Sequence, residues 1–281
     1  MQTYLDQLKT VLDNGVERSD RTGVGTLSTF GLHARYNMAD GFPAVTTKKL
    51  AWKTMASELL WFISGSTNIN DLKAIYPQNR IWDRNYQDYA KRIGLDSESH
   101  DGDMGRVYGS QWRRWETVNG RRIDQLQEAI DTLTGNPNSR RIIVNAWNPG
   151  EVGSDEVALP PCHNFFQFYV AQGKLSLHMY QRSADMFLGV PFNIASYSLL
   201  LHMIAHLTGL KAHEFIHTMG DAHIYLDAIE QVKEQLSRPP MVAPRLEITN
   251  RHQKTIDDFQ LSDLNLVDYQ SHKAIKANMA V

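Results

Sequence analysis

The chain has 281 residues, of which 42% are hydrophobic and 21% are charged, and its formal net charge at pH 7 is −2. These values are typical of a soluble globular protein with a sizeable core, and they exclude a bulk electrostatic attraction to nucleic acid or to an anionic membrane. The single cysteine excludes an internal disulfide and a cysteine-based zinc site. The amphipathic, partly acidic N-terminus resembles neither a signal nor a transit peptide, so the expected compartment is the cytoplasm.

The N-terminal half alternates helix and strand signals. Its predicted elements are a helix over 2–14 ended by Gly15, a strand over 26–38, a helix over 51–65 ended by its last glycine, and a short helix over 68–75. Residues 83–106 are polar and interrupted by glycines, which predicts a long surface insertion.

The C-terminal half mixes the two element types without a repeat or a linker. Its predicted elements are helices over 122–135, 194–210 and 223–237, strands over 140–147, 164–171, 174–181 and 213–219, and two short strands in the tail. The 194–210 segment is the most apolar, and its length predicts a core helix rather than a membrane span. Together these elements predict a single α/β domain over 1–281.

The only cysteine, Cys162, lies in the segment LPPCHN at 159–164. A lone cysteine is more often a buried structural residue than a nucleophile. Pro160 and Pro161 cannot donate ladder hydrogen bonds, so the chain is irregular just before the predicted strand. This arrangement favours a thiol held at the mouth of a sheet. His163 is not expected to pair with that thiol, because neighbouring residues on a strand point to opposite faces.

A second informative segment is QRSADMFLGVPFN at 181–193. Arg182 and Ser183 are residue types that bind an oxyanion. Asn193 lies near the start of the predicted 194–210 helix, where a role as helix cap would explain it. Its amide also offers a donor beside an acceptor, which matches the O4 and N3–H edge of uracil and not the reversed pattern of cytosine.

Further cations occur in DRTGVGT at 20–26 and in NSRRIIV at 138–144. The first segment lacks the ending of a P-loop and no strand precedes it, so a turn is the simpler interpretation. Arg140 and Arg141 at the start of a strand are equally consistent with a solvated edge. These arginines could bind one phosphate together, but their spacing does not show that they converge.

Taken together, these segments resemble one family. Thymidylate synthases carry motifs similar to LPPCHNFFQF, QRSADMFLGVPFNIASY, GDAHIY, NSRRIIV, DRTGVGT, ELLWFISGSTN and IKANMAV, in the same order along nearly the whole chain. The resemblance implies a homodimer in which each subunit has a large mixed sheet flanked by helices and the two sheets pack face to face. It also implies reductive methylation of dUMP to dTMP, with 5,10-methylenetetrahydrofolate as the donor of the one-carbon unit and the hydride, and with no metal.

The same resemblance implies roles for individual residues. Cys162 would be the nucleophile that adds to C6 of the uracil, and nearby cations would lower the pKa of its thiol. Glu58 would organise water for proton transfer, with Tyr108 as a second proton-handling residue. The remaining dUMP ligands would be Arg21, Arg182, Ser183, Asn193, His223 and Tyr225, with Arg140 and Arg141 completing the phosphate site of the partner subunit.

The folate side of the site is also implied by the resemblance. Asp185 would bind the pterin ring and take part in catalysis, and Leu159, Gly189 and Phe192 would contact the folate. Trp82 and Val281 would belong to a lid that keeps water away from the reacting methylene group.

Four departures from the family pattern stand out. The family usually has His at the position of Ala51, often has Pro at Arg106, usually has Asn-His at Asp227-Ala228 and commonly has Pro at Lys273. None of them replaces a residue assigned to chemistry, although Ala51 leaves the folate contact open. They indicate a divergent branch.

Two alternative functions remain. Relatives that add water instead of hydride make 5-hydroxymethyl nucleotides, and a uracil-specific one would keep Asn193, whereas those acting on cytosine carry Asp there. The retained Trp82 and Val281 favour reduction, because both would exclude water. A non-catalytic nucleotide- or RNA-binding homologue is disfavoured by the intact set of Cys162, Glu58, Asn193 and Asp185.

Overall fold

A computed structural model describes residues 1–95, 102–153, 155–250 and 252–278. In these ranges the helices α1 to α8 are Gln2–Asn14, Trp52–Ser64, Ile69–Ile75, Asp83–Arg92, Tyr108–Arg113, Gln125–Gly135, Gly189–Thr208 and Ile229–Leu236. The strands β1 to β10 are Val16–Arg18, Thr26–Asn37, Trp115–Glu116, Arg122–Ile123, Ile143–Asn145, His163–Ala171, Lys174–Asp185, Lys211–Tyr225, Arg245–Ile248 and Leu264–Val267. Short 3-10 helices lie at Met38–Asp40, Leu226–Ala228, Ile256–Asp258 and Leu261–Asp263.

A six-stranded mixed sheet organises the fold, with the strand order β1-β2-β8-β7-β6-β5. Its neighbours are antiparallel except for β7 and β8, which are parallel. Parallel strands end at the same edge of a sheet, so the last residues of β7 and β8 lie side by side, with Asp185 opposite His223. Two further pairs, β3–β4 and β9–β10, form small separate sheets. The predicted α/β class and large mixed sheet are confirmed.

Helix α7 packs on the inner face of the sheet, against β7 and β8. It is long and apolar enough to cross a membrane by those two criteria, but most of it is buried inside the protein, as predicted for a core helix. Burying each of its large apolar side chains contributes roughly 1.5–3 kcal/mol of hydrophobic stabilisation. The helix therefore holds the strand ends and their side chains in place.

The opposite face of the sheet exposes apolar side chains. Along β6 the core residues alternate with outward-facing ones, and Phe165 and Tyr169 are 39% and 66% exposed. Ile143 of β5, which pairs with Gln167, is 44% exposed. Phe165 stacks on Tyr180 of β7 on this face. No other described element covers these three exposed side chains enough to bury them.

The predicted glycine ends of two helices have different physical causes. Gly65 ends α2 in the left-handed region, at φ 71°, as expected of a helix-ending glycine. Gly15 follows α1 in an extended conformation, at φ −65°. A Cβ at Gly15 would collide with the carbonyl oxygen of Val11. Gly15 is therefore required for close approach and not for a left-handed turn.

Two predicted boundaries were wrong. Helix α7 begins at Gly189 and not at 194, so Asn193 lies in its second turn and does not cap it. Strand β8 continues to Tyr225, where a helix from 223 was predicted. The segment 83–106 begins as helix α4, and its Tyr89 and Met104 are only 7% and 0% exposed. Its described part is therefore partly helical and is packed at Tyr89 and Met104, while residues 96–101 lie outside the described ranges, so the surface insertion stays a prediction.

Candidate active site

Cys162 lies half-buried between Pro161 and the first residue of β6. Its backbone N–H donates to the Tyr108 hydroxyl at 2.7 Å, and its carbonyl accepts from the Arg182 N–H at 2.9 Å. A register shift in the β6–β7 pairing, between His163 and Phe165, accompanies this irregular start. The backbone of Cys162 is thus held by a side chain of α5 and by the backbone of β7.

The guanidinium of Arg182 binds the two prolines that precede the thiol. Its Nε donates to the Pro161 carbonyl at 2.8 Å and its Nη2 donates to the Pro160 carbonyl at 2.9 Å. The same Nη2 lies 3.8 Å from Cys162 Sγ. The guanidinium also lies over the Trp147 ring, 5.3 Å from its centroid. Arg182 therefore fixes the Pro160–Cys162 segment and places a positive charge beside the sulfur.

Burial raises the pKa of the Cys162 thiol above its usual value, while Arg182 and the Tyr108 hydroxyl oppose the rise. Arg182 lowers the pKa of this thiol, as expected of a neighbouring cation, but its effect is smaller than that of burial. Desolvation disfavours the thiolate more than the one adjacent guanidinium favours it. The thiol is the favoured resting form of Cys162 in this environment.

A chain of side-chain hydrogen bonds leads from β8 to Asn193. The Nε2 atom of His217 lies 2.9 Å from Gln181 Oε1. Gln181 Nε2 donates to the Ser183 carbonyl at 2.9 Å and to Asn193 Oδ1 at 3.0 Å. Asn193 Nδ2 then lies 2.7 Å from His163 Nε2.

The direction of this chain follows from the Ser183 carbonyl, which can only accept. The Gln181 atom against it must be the NH2 group, so Asn193 presents its oxygen to Gln181 and its NH2 to His163. Burial lowers the pKa of His163 to about 3, which keeps the ring neutral and able to accept. Asn193 is therefore held in one amide orientation, 8% exposed, with an adjacent donor and acceptor.

Glu58 and Trp82 form the acidic part of the site. The Trp82 indole N–H donates to Glu58 Oε1 at 2.7 Å. Burial raises the pKa of Glu58 to about 7, and the indole bond opposes this rise. Trp82 is only 6% exposed and packs edge-on against Trp61 and Tyr108. The carboxyl group is therefore able to exchange a proton near neutral pH.

Asp185 ends β7 and lies next to the start of α7. Its Oδ1 accepts from the backbone N–H groups of Phe187 and Leu188 at 2.9 and 3.1 Å. Burial raises the pKa of Asp185, opposed by these N–H groups and by the charges of His223 and Lys48. A Cβ on Gly189 would lie 3.6 Å from Asp185 Cβ and 3.7 Å from Asn193 Oδ1. Gly189 thus leaves open the space between the two side chains.

Lys48 is a buried cation on this side of the site. Its ammonium group donates to the Phe187 carbonyl and lies 3.6 Å from the centroid of the Phe187 ring. Burial lowers its pKa to about 8, although Asp185 opposes the change. The carboxylate of Asp185 and the partly buried Leu159 and Phe192 fit a folate, whose pterin ring has N–H groups and flat apolar faces.

The DRTGVGT segment is a turn built on Asp20. The Asp20 carboxylate accepts from the Thr22 N–H at 2.8 Å and from the Gly25 N–H at 2.7 Å. The Gly25 carbonyl accepts from the Leu226 N–H, next to Tyr225. Burial and the Asp185 and Asp20 carboxylates raise the pKa of Tyr225 to about 12, with Arg21 opposing. Arg21, Asp185 and Tyr225 are therefore close enough to interact electrostatically.

The chain was compared with known proteins. Residues 2–281 match the family model described as thymidylate synthase. Thymidylate synthases of Listeria monocytogenes serotype 4b, strains CLIP80459 and F2365, and of Listeria innocua serovar 6a are each 46% identical over 319 residues, covering 100% of this chain and of the relative.

The chain belongs to the thymidylate synthase family. Its resemblance to that family, first drawn from short motifs, is confirmed. Thymidylate synthases are methyltransferases, so this chain is an enzyme of that class. The family methylates dUMP and uses methylenetetrahydrofolate as co-substrate.

Most family-type site residues come together, but two do not. Arg140 and Arg141 are exposed and precede β5, whose first residue Ile143 pairs with Gln167. Gln167 is four residues along β6 from His163, which corresponds to about 13 Å of strand. These arginines therefore lie away from the Cys162 of their own chain. Val281 is outside the described residues.

The departures from the family pattern lie mostly on the periphery. Ala51 is exposed at the start of α2. Arg106 pairs with Glu151 at 2.8 Å and with Glu116 at 3.5 Å. Asp227 accepts a long hydrogen bond from Asn278, at 3.4 Å. The Lys273 carbonyl accepts from Arg238 at 2.6 Å, a bond that Pro would also allow.

The sequence interpretation missed four residues that support the family site. His163, Gln181 and His217 orient Asn193, and Asp221 contacts His223. The signal for Gln181 was present, because alternate residues of a strand share a face and Gln181 is two residues before Ser183. His217 and Asp221 precede His223 by even numbers of residues, six and two, on one strand, which the prediction of a helix from 223 concealed.

Proposed function

We propose that this chain converts dUMP to dTMP, with methylenetetrahydrofolate supplying the one-carbon unit and the hydride and leaving as dihydrofolate. The observation that carries the proposal is the convergence on Cys162. Arg182 and Tyr108 hold the thiol, and the next residue, His163, binds the oriented amide of Asn193. The thiol, the cation of Arg182 and the amide of Asn193 are thus linked through contacts within one short stretch of the chain and its neighbours.

In the proposed reaction Cys162 adds to C6 of the uracil. The sulfur–C6 bond forms as the C5–C6 electron pair moves toward O4, which makes C5 nucleophilic. Because the resting group is a thiol, its proton must leave when the nucleotide binds, and the positive charge of Arg182 at 3.8 Å favours that step. When bound, the folate supplies the electrophilic carbon and then the hydride.

Several residues would bind and orient the nucleotide. Asn193 would read the O4 and N3–H edge of the base, and Glu58 would exchange protons with O4 and C5 through water, with Tyr108 assisting. Arg21, Arg182 and Ser183 would bind the phosphate, and His223 and Tyr225 the sugar hydroxyl. The positions of β7 and β8 support these assignments, because Asp185 of β7 and His223 of β8 are paired residues at the sheet edge where both strands end.

Asp185, Leu159, Gly189 and Phe192 would bind the folate, and Trp82 with Val281 would exclude water from the methylene group. Burial of Trp82 against Trp61 and its bond to Glu58 support a water-excluding role. Hydride addition is therefore proposed in preference to water addition. We expect this chemistry to take place in the cytoplasm.

The active form would be a homodimer formed through the exposed apolar face of the sheet, which includes Ile143, Phe165 and Tyr169. Two observations support this arrangement. Exposed aromatic and aliphatic groups on one sheet face mark a protein interface. Arg140 and Arg141 also lie away from their own Cys162, so they would complete the phosphate site of the partner subunit.

Product analysis by mass spectrometry tests the proposal. The purified chain is incubated with dUMP and methylenetetrahydrofolate, with Cys162→Ser as the matched inactive control. The expected product is the 5-methyl nucleotide, in an amount equal to the dihydrofolate formed. A 5-hydroxymethyl product would identify the hydrating alternative. The absence of any product, together with no covalent adduct to 5-fluoro-dUMP plus folate, would indicate a non-catalytic binding protein.

A further inference from the structure

Asp221 and His223 lie on the same side of β8, two residues apart. The Nδ1 atom of His223 is 3.2 Å from Asp221 Oδ1 and 3.3 Å from the Asp221 carbonyl oxygen. Both oxygens accept hydrogen bonds, so Nδ1 carries the proton of the neutral ring. The other ring nitrogen, Nε2, then has a lone pair and is an acceptor.

The Asp221 carboxylate is itself held in place by β1 and β2. Ser28 Oγ donates to Oδ1 at 2.7 Å, and Arg18 Nη1 donates to Oδ2 at 3.0 Å. Arg18 belongs to β1 and Ser28 to β2, the strand that pairs with β8. The carboxylate therefore has a fixed position from which to orient the imidazole.

A fixed acceptor restricts the ligand that it meets. A group that faces Nε2 must donate a hydrogen bond, which a free hydroxyl can do and a hydrogen or an ether cannot. An imidazole free to exchange its proton between nitrogens would accept from or donate to a ligand equally well. The tautomer of His223 therefore determines whether the ligand group beside Nε2 must donate a hydrogen bond.

We propose that Asp221 is a positioning residue that makes His223 a hydrogen-bond acceptor, and that it thereby makes a free sugar hydroxyl a requirement for tight nucleotide binding. This inference rests on the proposed function, in which His223 faces the sugar of dUMP. Asp221 touches no substrate in this proposal and acts through the imidazole.

Equilibrium binding of two nucleotides tests the proposal. The full chain is titrated with dUMP and with its 3′-O-methyl analogue at about pH 8, where an ordinary histidine is neutral. The ether oxygen of this analogue can accept a hydrogen bond but cannot donate one to Nε2. The variants are Asp221→Ala, Asp221→Asn and His223→Ala, and the quantity compared is the ratio of the two Kd values. The thermal midpoint of unfolding is recorded for each variant.

The unaltered chain is expected to prefer dUMP by about fivefold to tenfold, as for one hydrogen bond. Asp221→Ala removes the carboxylate and leaves the carbonyl of residue 221, 3.3 Å from Nδ1, as a weaker acceptor, so the ratio should fall part of the way toward that of His223→Ala. Adding Asp221→Ala to His223→Ala should change the ratio no further. Asp221→Asn keeps an oxygen for Nδ1 and should retain most of the preference. If Asp221 had a purely structural role, its substitution would instead lower the unfolding temperature and weaken the binding of both nucleotides equally. The ratio would then be unchanged, and that result would overturn the proposal.

Nitrogen-15 NMR of the His223 ring gives a second readout that needs no ligand. The free chain should show a protonated Nδ1 and an unprotonated Nε2, and Asp221→Asn should preserve this pattern better than Asp221→Ala. A proton on Nε2 in the unaltered chain would refute the inference even if dUMP binds well. Failure of the unaltered chain to bind dUMP would instead refute the proposed function and, with it, the selection for a sugar hydroxyl.

Discussion

Trp82 donates its indole N–H to Glu58 Oε1 across 2.7 Å, so the residue predicted for a lid also contacts the predicted proton-handling carboxyl. This bond stabilises the ionised form of Glu58, while burial favours the protonated form and raises the pKa to about 7. The two residues therefore form one unit, and loss of the indole donor should alter the proton exchange of the Glu58 carboxyl.

Trp82→Phe is expected to shift the Glu58-dependent limb of the pH–activity profile to higher pH. The phenyl ring keeps much of the packing but removes the donor, so burial acts on the carboxyl without opposition from the indole. The measurement is kcat/KM for dUMP as a function of pH. Trp61→Phe is the matched control, because Trp61 is a buried neighbour whose N–H has no hydrogen-bond partner among the described residues. Equal shifts in the two variants would contradict the coupling.

Glu58→Gln is expected to change how stability depends on pH. The folded-state pKa of Glu58, about 7, lies above the unfolded value. Its stabilising effect is therefore complete below the unfolded pKa and is lost as the pH rises through about 7. The loss amounts to roughly 2 kcal/mol of unfolding free energy between about pH 5 and about pH 8. Urea unfolding at those two pH values should show a smaller decline for Glu58→Gln than for the unaltered chain, and identical declines would contradict the prediction.

Cys162→Ser is expected to retain dUMP binding and lose turnover by about a thousandfold or more, because a hydroxyl is a far weaker nucleophile at neutral pH. The backbone bonds of residue 162 to Tyr108 and Arg182 do not depend on the side chain, so the local structure should persist. Steady-state kinetics and dUMP titration are the measurements. Turnover within about tenfold of the unaltered chain would exclude Cys162 as the nucleophile.

The sequence predicted the elements of this fold better than their ends. The amphipathic helix over 2–14 and the glycine stop at Gly65 depend on local preferences, and both appear in the structure. The extension of β8 to Tyr225 depends on pairing with β2 and β7, which no local pattern reveals.

Within the candidate site, the sequence singled out Cys162 and Arg182 but did not predict the contacts between Arg182 and the segment that carries Cys162. The two carbonyls that Arg182 binds belong to prolines predicted only to stiffen the chain. The sequence indicated that cations would lower the thiol pKa but not that burial would outweigh them, because burial is a property of the folded chain and cannot be read from neighbouring charges in the sequence.

Asn193→Asp is expected to lower the preference for dUMP over dCMP, measured as the ratio of kcat/KM values. Gln181 can still donate to one oxygen of the new carboxyl group. The other oxygen would face His163 Nε2, which accepts from Asn193 in the native chain, so a proton must be added between them. A carboxyl group that holds a proton has both a donor and an acceptor, so its acceptor oxygen can bind the amino group of cytosine. An unchanged ratio would exclude Asn193 as the base-reading residue.

Mixed dimers test the proposed role of Arg140 and Arg141. Arg140→Ala/Arg141→Ala subunits lack the phosphate arginines and Cys162→Ser subunits lack the nucleophile, so each homodimer should be inactive or nearly so. In the mixed dimer one site would have an intact thiol and intact arginines, and activity should return. Each arginine–phosphate bond is worth roughly 1.5–3 kcal/mol, so losing one should raise the dUMP Kd by about tenfold or more. Verified mixed dimers without recovered activity would contradict sharing of the site.

The pairing of β8 with β2 constrains how the protein is made. Tyr225 lies opposite Thr26, so the second strand of the sheet gains its central neighbour only when residue 225 of 281 has been synthesised. Contacts between segments so far apart in sequence form slowly, and until they form the strand edges are unpaired and prone to aggregation. A ribosome-bound chain that stops before β8 has neither His223 nor the strand that pairs with β7 at Asp185. Nucleotide binding to nascent chains should therefore begin only late in translation, and productive folding is expected to depend on protecting β2 until then.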